Sequence, residues 1–274
     1  MRQRARSISI TSGKGGTGKT TLTANLGIAL GALGKDVTIL DADLTMANLA
    51  IVLGMHKVGP SFQDVLMGRA EVKDALYKNY GVKVMPVGFR FEDVHEVLSG
   101  VRKEKVEEAV AELLGQTEIL LIDAPAGIGE DTIISIAAAQ EMLPVLNPTY
   151  TSLVDGHKII RMANLLGTWT RGIVINRTTG RAELAVEEIE AFMSRVLGDI
   201  TVVAEIPEDP KVQEAEHEGI PFVVYDPDCD ASRAVNDLAK IIAGDSHPRY
   251  RAYEKDPLGE TSVKLLRALT GGRG

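Results

Sequence analysis

The sequence predicts an α/β protein with a doubly wound, mostly parallel sheet flanked by helices. Three observations predict it. A short β-branched run, Ser7-Ile8-Ser9-Ile10-Thr11, passes through a glycine-rich loop into a helix-like run from Lys19 to Leu33. Two apolar runs close on aspartates, one at Asp41 and Asp43 and one at Asp123, and in open α/β sheets ligands gather at the carboxyl ends of strands. Aromatic residues are only 4% of the chain, so the core must come from Val, Ile, Leu and Ala, as strands buried on both faces prefer. The net charge of −8 argues against broad, non-specific nucleic-acid binding. The single cysteine, Cys229, excludes an intramolecular disulfide and a cysteine metal cage, and fits a reducing compartment. There is no apolar run of about 18 residues, and the basic start Met1–Arg6 leads into a strand, so neither a membrane span nor a signal peptide is expected.

The first loop, Gly13-Lys14-Gly15-Gly16-Thr17-Gly18-Lys19-Thr20-Thr21, satisfies the spacing G-x-x-x-x-G-K-[ST] of a phosphate-binding P-loop. Glycines let the backbone curl until successive N–H groups face inward on phosphate oxygens, with the positive end of the helix dipole behind them. Lys19 is placed to reach the β- and γ-phosphates, and the Thr20 hydroxyl to ligate Mg²⁺. The loop is therefore expected to bind a nucleoside triphosphate.

Lys14 is a second lysine just after the first glycine. With it the stretch resembles the deviant Walker A motif of the MinD/ParA family of ATPases. The resemblance implies an ATP-dependent homodimer in which Lys14 reaches the phosphates of the other subunit. A positive charge brought in trans to developing phosphate charge is sensible chemistry.

The elements follow in order. Lys35–Leu40 reads as a strand, and Asp41 and Asp43 are expected in the loop beyond it. The continuation through Asn48 and Leu49 resembles the family's switch I, which implies Asp41 near the Mg²⁺ water shell and Asp43 near the attacking water. Which aspartate matters more for hydrolysis stays open. Residues 58–80 carry helical patterning with glycine breaks, residues 82–87 read as a strand, and residues 102–114 as an amphipathic helix with a solvated charged face. Glu118–Ile122 is a strand ending in Asp123, with the logic of a Walker B carboxylate that holds Mg²⁺. The following Ala124-Pro125-Ala126-Gly127 resembles the family's switch II. Residues 142–147 look like another strand, and the loop after it leads to Asp155, read either as an interface aspartate by resemblance or as an acid favoured by the helix dipole.

Base choice is argued from Gly172–Thr179. A guanine reader would place Asp at position 179, where this chain has Thr. Asn176-Arg177 resembles the adenine-contacting pair of MinD/ParA proteins, and the stretch with Pro207 and Glu208 resembles the other wall of the adenine site. Helical patterns near 184–196 and 231–243 close an ATPase domain over residues 1–244. Residues 245–274 read as a linker and a tail in which Ser262–Leu269 can be drawn as an amphipathic helix. This resembles MinD's membrane-targeting helix, against the alternatives of packing on its own domain or disorder.

The resemblance implies Mg²⁺·ATP hydrolysis used as a dimerisation switch, with Lys14, Lys19, Asp43 and Asp123 serving hydrolysis. Within the group it lies nearer MinD. The implied protein is a positioning ATPase of cell division, cytoplasmic and peripheral at the inner face of an anionic membrane, with a protein activator or cargo. A DNA-riding ParA and a regulator of surface appendage number are the alternatives. A cluster-carrying ATPase is set aside, because Cys229 stands outside any Cys-x-x-Cys motif.

Overall fold

The computed structural model describes residues 5–89, 103–198 and 200–244. A nine-stranded sheet, with spatial order β3-β4-β2-β5-β1-β6-β8-β9 and β7 beside β6, forms the centre. Its strands are β1 (Arg6–Ser12), β2 (Val37–Asp41), β3 (Tyr77–Asn79), β4 (Val82–Met85), β5 (Ile119–Ala126), β6 (Glu141–Leu146), β7 (Trp169–Thr170), β8 (Ile173–Thr178) and β9 (Val202–Pro207). All pairings are parallel except β3 with β4. The predicted fold class is the observed one.

Alternation along the strands sets the layers. Ile8, Ile10, Ile39, Ile119 and Leu121 pack on one face with α1 (Lys19–Ala32) and the last described helix, α10 (Asp230–Gly244). On the other face Leu40, Leu120 and Ile122 pack with α3 (Phe62–Leu66) and α4 (Lys103–Leu114). Met142, Leu146, Ile173 and Ile175 pack there with α5 (Glu130–Ala137), α6 (Tyr150–Leu166) and α7 (Val186–Leu197). β1 lies between β5 and β6, so the chain winds outward from it in both directions. The crevice beyond its carboxyl end is the place where such sheets bind ligands.

Four features differ from the sequence reading. Residues 58–80 hold only α3, a 3₁₀ turn at Val72–Ala75 and then strand β3. β3 is joined to β4 by Tyr80-Gly81, both with positive φ (46° and 81°), a two-residue turn whose twist suits a hairpin. Asp41 is not in a loop: it is the last residue of β2 and fully buried. β5 does not stop at Asp123 but runs on to Ala126, because the backbone after the acid continues beside Ser12 of β1. Finally, α2 (Asn48–Val52), α5, α8 (Pro210–Glu218) and α9 (Phe222–Tyr225) carry no element assignment in that reading. The tail over residues 245–274 lies outside the described residues.

Candidate functional site

The loop between β1 and α1 is held from three sides. A Cβ at Gly13 would lie 2.5 Å from Asp155 Cβ and 2.6 Å from its carbonyl carbon, so the loop packs directly on the backbone of α6 and only glycine fits. Gly18 has φ +85°, and a Cβ there would lie 2.3 Å from Asn176 Nδ2. Asn176 Nδ2 donates to Thr17 O at 2.7 Å, tying the end of the loop to β8. Asn147, in the orientation that satisfies its amide, donates to Thr17 O and Asn176 O at 3.3 Å each. Gly127 N donates to Ser12 O at 2.9 Å, so the loop after β5 is fastened to the start of the phosphate loop.

Inside the loop lies a charged cluster that is sealed from water. Lys19 Nζ donates to Asp123 Oδ1 at 2.8 Å, with side chains 7% and 1% exposed. Thr23 Oγ1 donates to the same oxygen at 3.1 Å. Asp41 stands opposite Asp123 in the register of β2 and β5. Burial and then the Asp123 charge hold the Asp41 carboxyl well above the usual carboxylate range, while Lys19 and the Asp43 N–H, which donates to Asp41 Oδ1 at 3.1 Å, oppose the rise. Asp41 Oδ2 is buried without a hydrogen-bond partner. One lysine thus serves two aspartates.

That donor set fits Mg²⁺. The ion is bound through one or two carboxylates and completes its shell with water and phosphate oxygens. Asp41, Asp123 and the Thr20 hydroxyl, which accepts from Lys19 Nζ at 3.4 Å, are hard oxygen donors around that lysine, and one of the carboxylate oxygens is unused. Asp43 lies in the loop beyond, its Oδ1 accepting from Thr45 Oγ1 at 2.8 Å.

Lys14 Nζ donates to Thr151 Oγ1 at 2.9 Å, in the first turn of α6. Asp155 sits in the second turn of that helix, where the dipole has faded, and Lys158 Nζ lies 3.3 Å from its Oδ1. The dipole reading of Asp155 therefore loses its basis.

Beside the phosphate loop is a cavity with about 540 Å³ of empty space, part of it open to solvent. Gly18, Thr21 and Leu22 form one wall, and Asn176, Arg177, Pro207 and Glu208 another. Arg177 has φ +60°, rare outside glycine, and the β8–β9 register shifts across it, which turns the strand end toward the cavity. The structure thus brings Asn176, Arg177, Pro207 and Glu208 together with the phosphate loop. A third wall, with Val212, Gln213 and Glu216 of α8 and Phe222 of α9, escaped the sequence reading. Its one signal is Asp209-Pro210, a helix start in which Asp209 Oδ1 accepts from Lys211 N at 2.9 Å.

Comparison with known proteins agrees with this geometry. The family model described as ParA, NUBPL iron-transfer P-loop NTPase, matches residues 3–243. An uncharacterized ATP-binding protein of Methanocaldococcus jannaschii is 39% identical over 268 residues, 97% of each chain. An iron–sulfur cluster carrier protein of the same organism is 32% identical, covering 86% of this chain and 83% of its own length. The solved septum site-determining protein MinD from Pyrococcus horikoshii, complexed with Mg-ADP, is 38% identical. It superposes with a TM-score of 0.80 over 87% of this chain and 96% of that one.

Proposed function

The chain belongs to the ParA family of P-loop NTPases, with MinD among its relatives, and on that footing we propose that it is a Mg²⁺-dependent ATPase working as a dimerisation switch in spatial positioning. The observation that carries the switch is Lys14. It is anchored in the loop by Ser12 Oγ, which donates to Lys14 O at 2.8 Å, and its ammonium is parked on a neutral threonine hydroxyl rather than on a carboxylate. Exposed Ile128, Tyr150 and Val154 stand at the same end of the sheet, an apolar surface that a second copy would cover.

The chemistry follows from the side chains. Lys19 exchanges Asp123 for β- and γ-phosphate oxygens. Asp123, Asp41 and Thr20 would hold Mg²⁺, which when bound would neutralise charge on the phosphates. Asp43, in the loop after β2 rather than in the sealed cluster, orients the attacking water in this reading. Gly127, coupled to Ser12, reports the γ-phosphate to the loop after β5. Asn176 keeps its amide nitrogen on Thr17 O, which leaves Oδ1 to accept from an adenine amino group and so favours ATP over GTP.

A MinD-like role adds reversible attachment to an anionic membrane through residues 262–269. The rival role as a cluster carrier, which the family description and one relative raise, is opposed by the chain's single cysteine, Cys229, which is buried with its thiol 3.2 Å from Ser232 Oγ. Light scattering on the full chain with Mg²⁺ and ATP, or with ADP, tests the switch. A dimer with ATP that Lys14→Ala abolishes is expected, and a monomer in both nucleotides overturns it. Sedimentation onto anionic liposomes, with and without residues 245–274, tests the membrane role.

A further inference from the structure

A carboxylate can aim an attacking water only if the backbone that carries it is held still. Two bonds of Asp43 stay inside its own loop: Thr45 Oγ1 donates to its Oδ1 at 2.8 Å, and Met46 N to its carbonyl at 3.2 Å. On the strand side Asp43 N donates to Asp41 Oδ1 at 3.1 Å, which ties the loop to β2. On the far side the tie is Gln63 of α3. Its Nε2 donates to Leu44 O at 3.2 Å, and its Oε1 accepts from Gly88 N at 2.6 Å. Gln63 is fully buried, so its amide bridges, out of reach of water, the two segments that leave the paired strands β2 and β4.

The bridging side chain is itself fixed. Ser61 N donates to Asp64 Oδ2 at 2.9 Å and Asp64 N to Ser61 Oγ at 3.4 Å, a reciprocal cap on α3. Phe62 N donates to Pro86 O at 2.8 Å, which sets that first turn on the end of β4. A Cβ at Gly88 would lie 3.2 Å from Gln63 Oε1, tighter than ordinary contact, so glycine lets the backbone come up to the amide. Leu44, Phe62 and Leu66 share one apolar cluster, and a methionine at position 63 would fill the space beside them. What only the amide adds is a fixed distance between β4 and the loop that carries Asp43.

We propose that Gln63 is a positioning residue for hydrolysis: by pinning Leu44 it sets where the Asp43 carboxylate stands, and it acts through Asp43 alone. The assignment rests on the ATPase reading and deepens it. Steady-state ATP hydrolysis by the full chain with Mg²⁺ tests it, in the wild type, Gln63→Met, Asp43→Asn and the double variant. Gln63→Met is expected to lower kcat about tenfold, the scale of one hydrogen bond, with KM within about twofold. In the Asp43→Asn background it is expected to lower kcat no further. Gln63→Glu keeps an acceptor for Gly88 N but, ionised, has no donor for Leu44 O. It replaces Gln63→Met if melting curves show that variant unfolded, with the same outcome expected. An equal loss of kcat in both backgrounds means that Gln63 supports the fold and not Asp43, and overturns the assignment. An unchanged kcat, with or without a raised KM, overturns it as well. A wild type that hydrolyses no ATP, or an Asp43→Asn variant with the wild-type kcat, overturns the underlying reading of the site, and with it this assignment.

Discussion

At the scale of single residues, the site is a charge balance held in suspense. Asp41 and Asp123 face each other in register beside Lys19, which pairs with Asp123, and one oxygen of the buried Asp41 carboxyl has no hydrogen-bond partner. Asp41→Asn keeps the acceptor for the Asp43 N–H and removes the like charge. Its expected outcome is a higher urea midpoint in EDTA, together with loss of Mg²⁺-dependent ATP binding, as read by paired melts and titrations. Lys19→Ala goes the other way. It strips the phosphate ligand and strands both acids, so nucleotide binding should vanish and stability fall by about 3–5 kcal/mol. The phosphate loop was legible in the sequence because its chemistry is contiguous: glycines, lysine and threonine at fixed offsets. Asn147 and Thr151 were not, since each meets the loop only through the packing of a distant strand or helix, and Thr23 was not because its partner Asp123 comes from β5, 100 positions away.

At the scale of elements, α10 joins the two ends of the sheet. Near its start, Ala231 N donates to Asp209 Oδ2 at 3.3 Å and Ser232 Oγ donates to Phe222 O at 3.1 Å, which binds it to the base wall. Near its end, Ile242 O accepts from Arg6 Nη1 at 2.9 Å. Arg6 and Arg171 share buried Glu141, each at 2.8 Å, with all three side chains 6% exposed or less. The carbonyl end of α10 supplies negative dipole to these two guanidiniums. Glu141→Ala leaves both guanidiniums without that carboxylate, and chemical denaturation should show a loss of about 3–5 kcal/mol. Partial burial pushes the Asp209 carboxyl up, but N–H groups of Lys211 and Ala231 and the Cys229 thiol favour its charged form and bring it below the usual range. A lowered carboxylate stabilises the fold above its unfolded pKa, and that stability is lost as pH falls through the folded value. Asp209→Ala should therefore cost about 1 kcal/mol at neutral pH, the worth of a helix cap, and the gap to wild type should close in acid. Strands at the centre of the sheet were legible from their apolar runs. β3 and α8 were not: β3 takes its conformation from pairing with β4, and α8 has a polar surface with only Ala215 buried.

At the scale of the whole molecule, the proposed switch makes a thermodynamic claim that does not depend on identifying a partner. A ligand that binds only the folded chain stabilises it by about 2.7 kcal/mol at a hundredfold excess over its Kd, whatever the protein concentration. A ligand that also closes a dimer couples stability to protein concentration, because unfolding must then separate two chains. ADP should raise the melting temperature of this protein equally at all protein concentrations. ATP with Mg²⁺, under conditions that slow hydrolysis, should raise it further and progressively as protein is added. Lys14→Ala should erase the concentration dependence and keep the ADP-like increment, because Lys14 lies outside the sealed Lys19–Asp123 cluster and rests on a single hydroxyl of its own chain. Differential scanning calorimetry across a hundredfold range of protein separates these terms. A melting temperature with ATP that stays flat across that range sinks the dimer, and one that rises equally in Lys14→Ala moves the interface away from Lys14. The sheet positions the nucleotide in either case, and what distinguishes a switch from a simple nucleotide pocket is whether the energy of the γ-phosphate is shared between two copies of the chain.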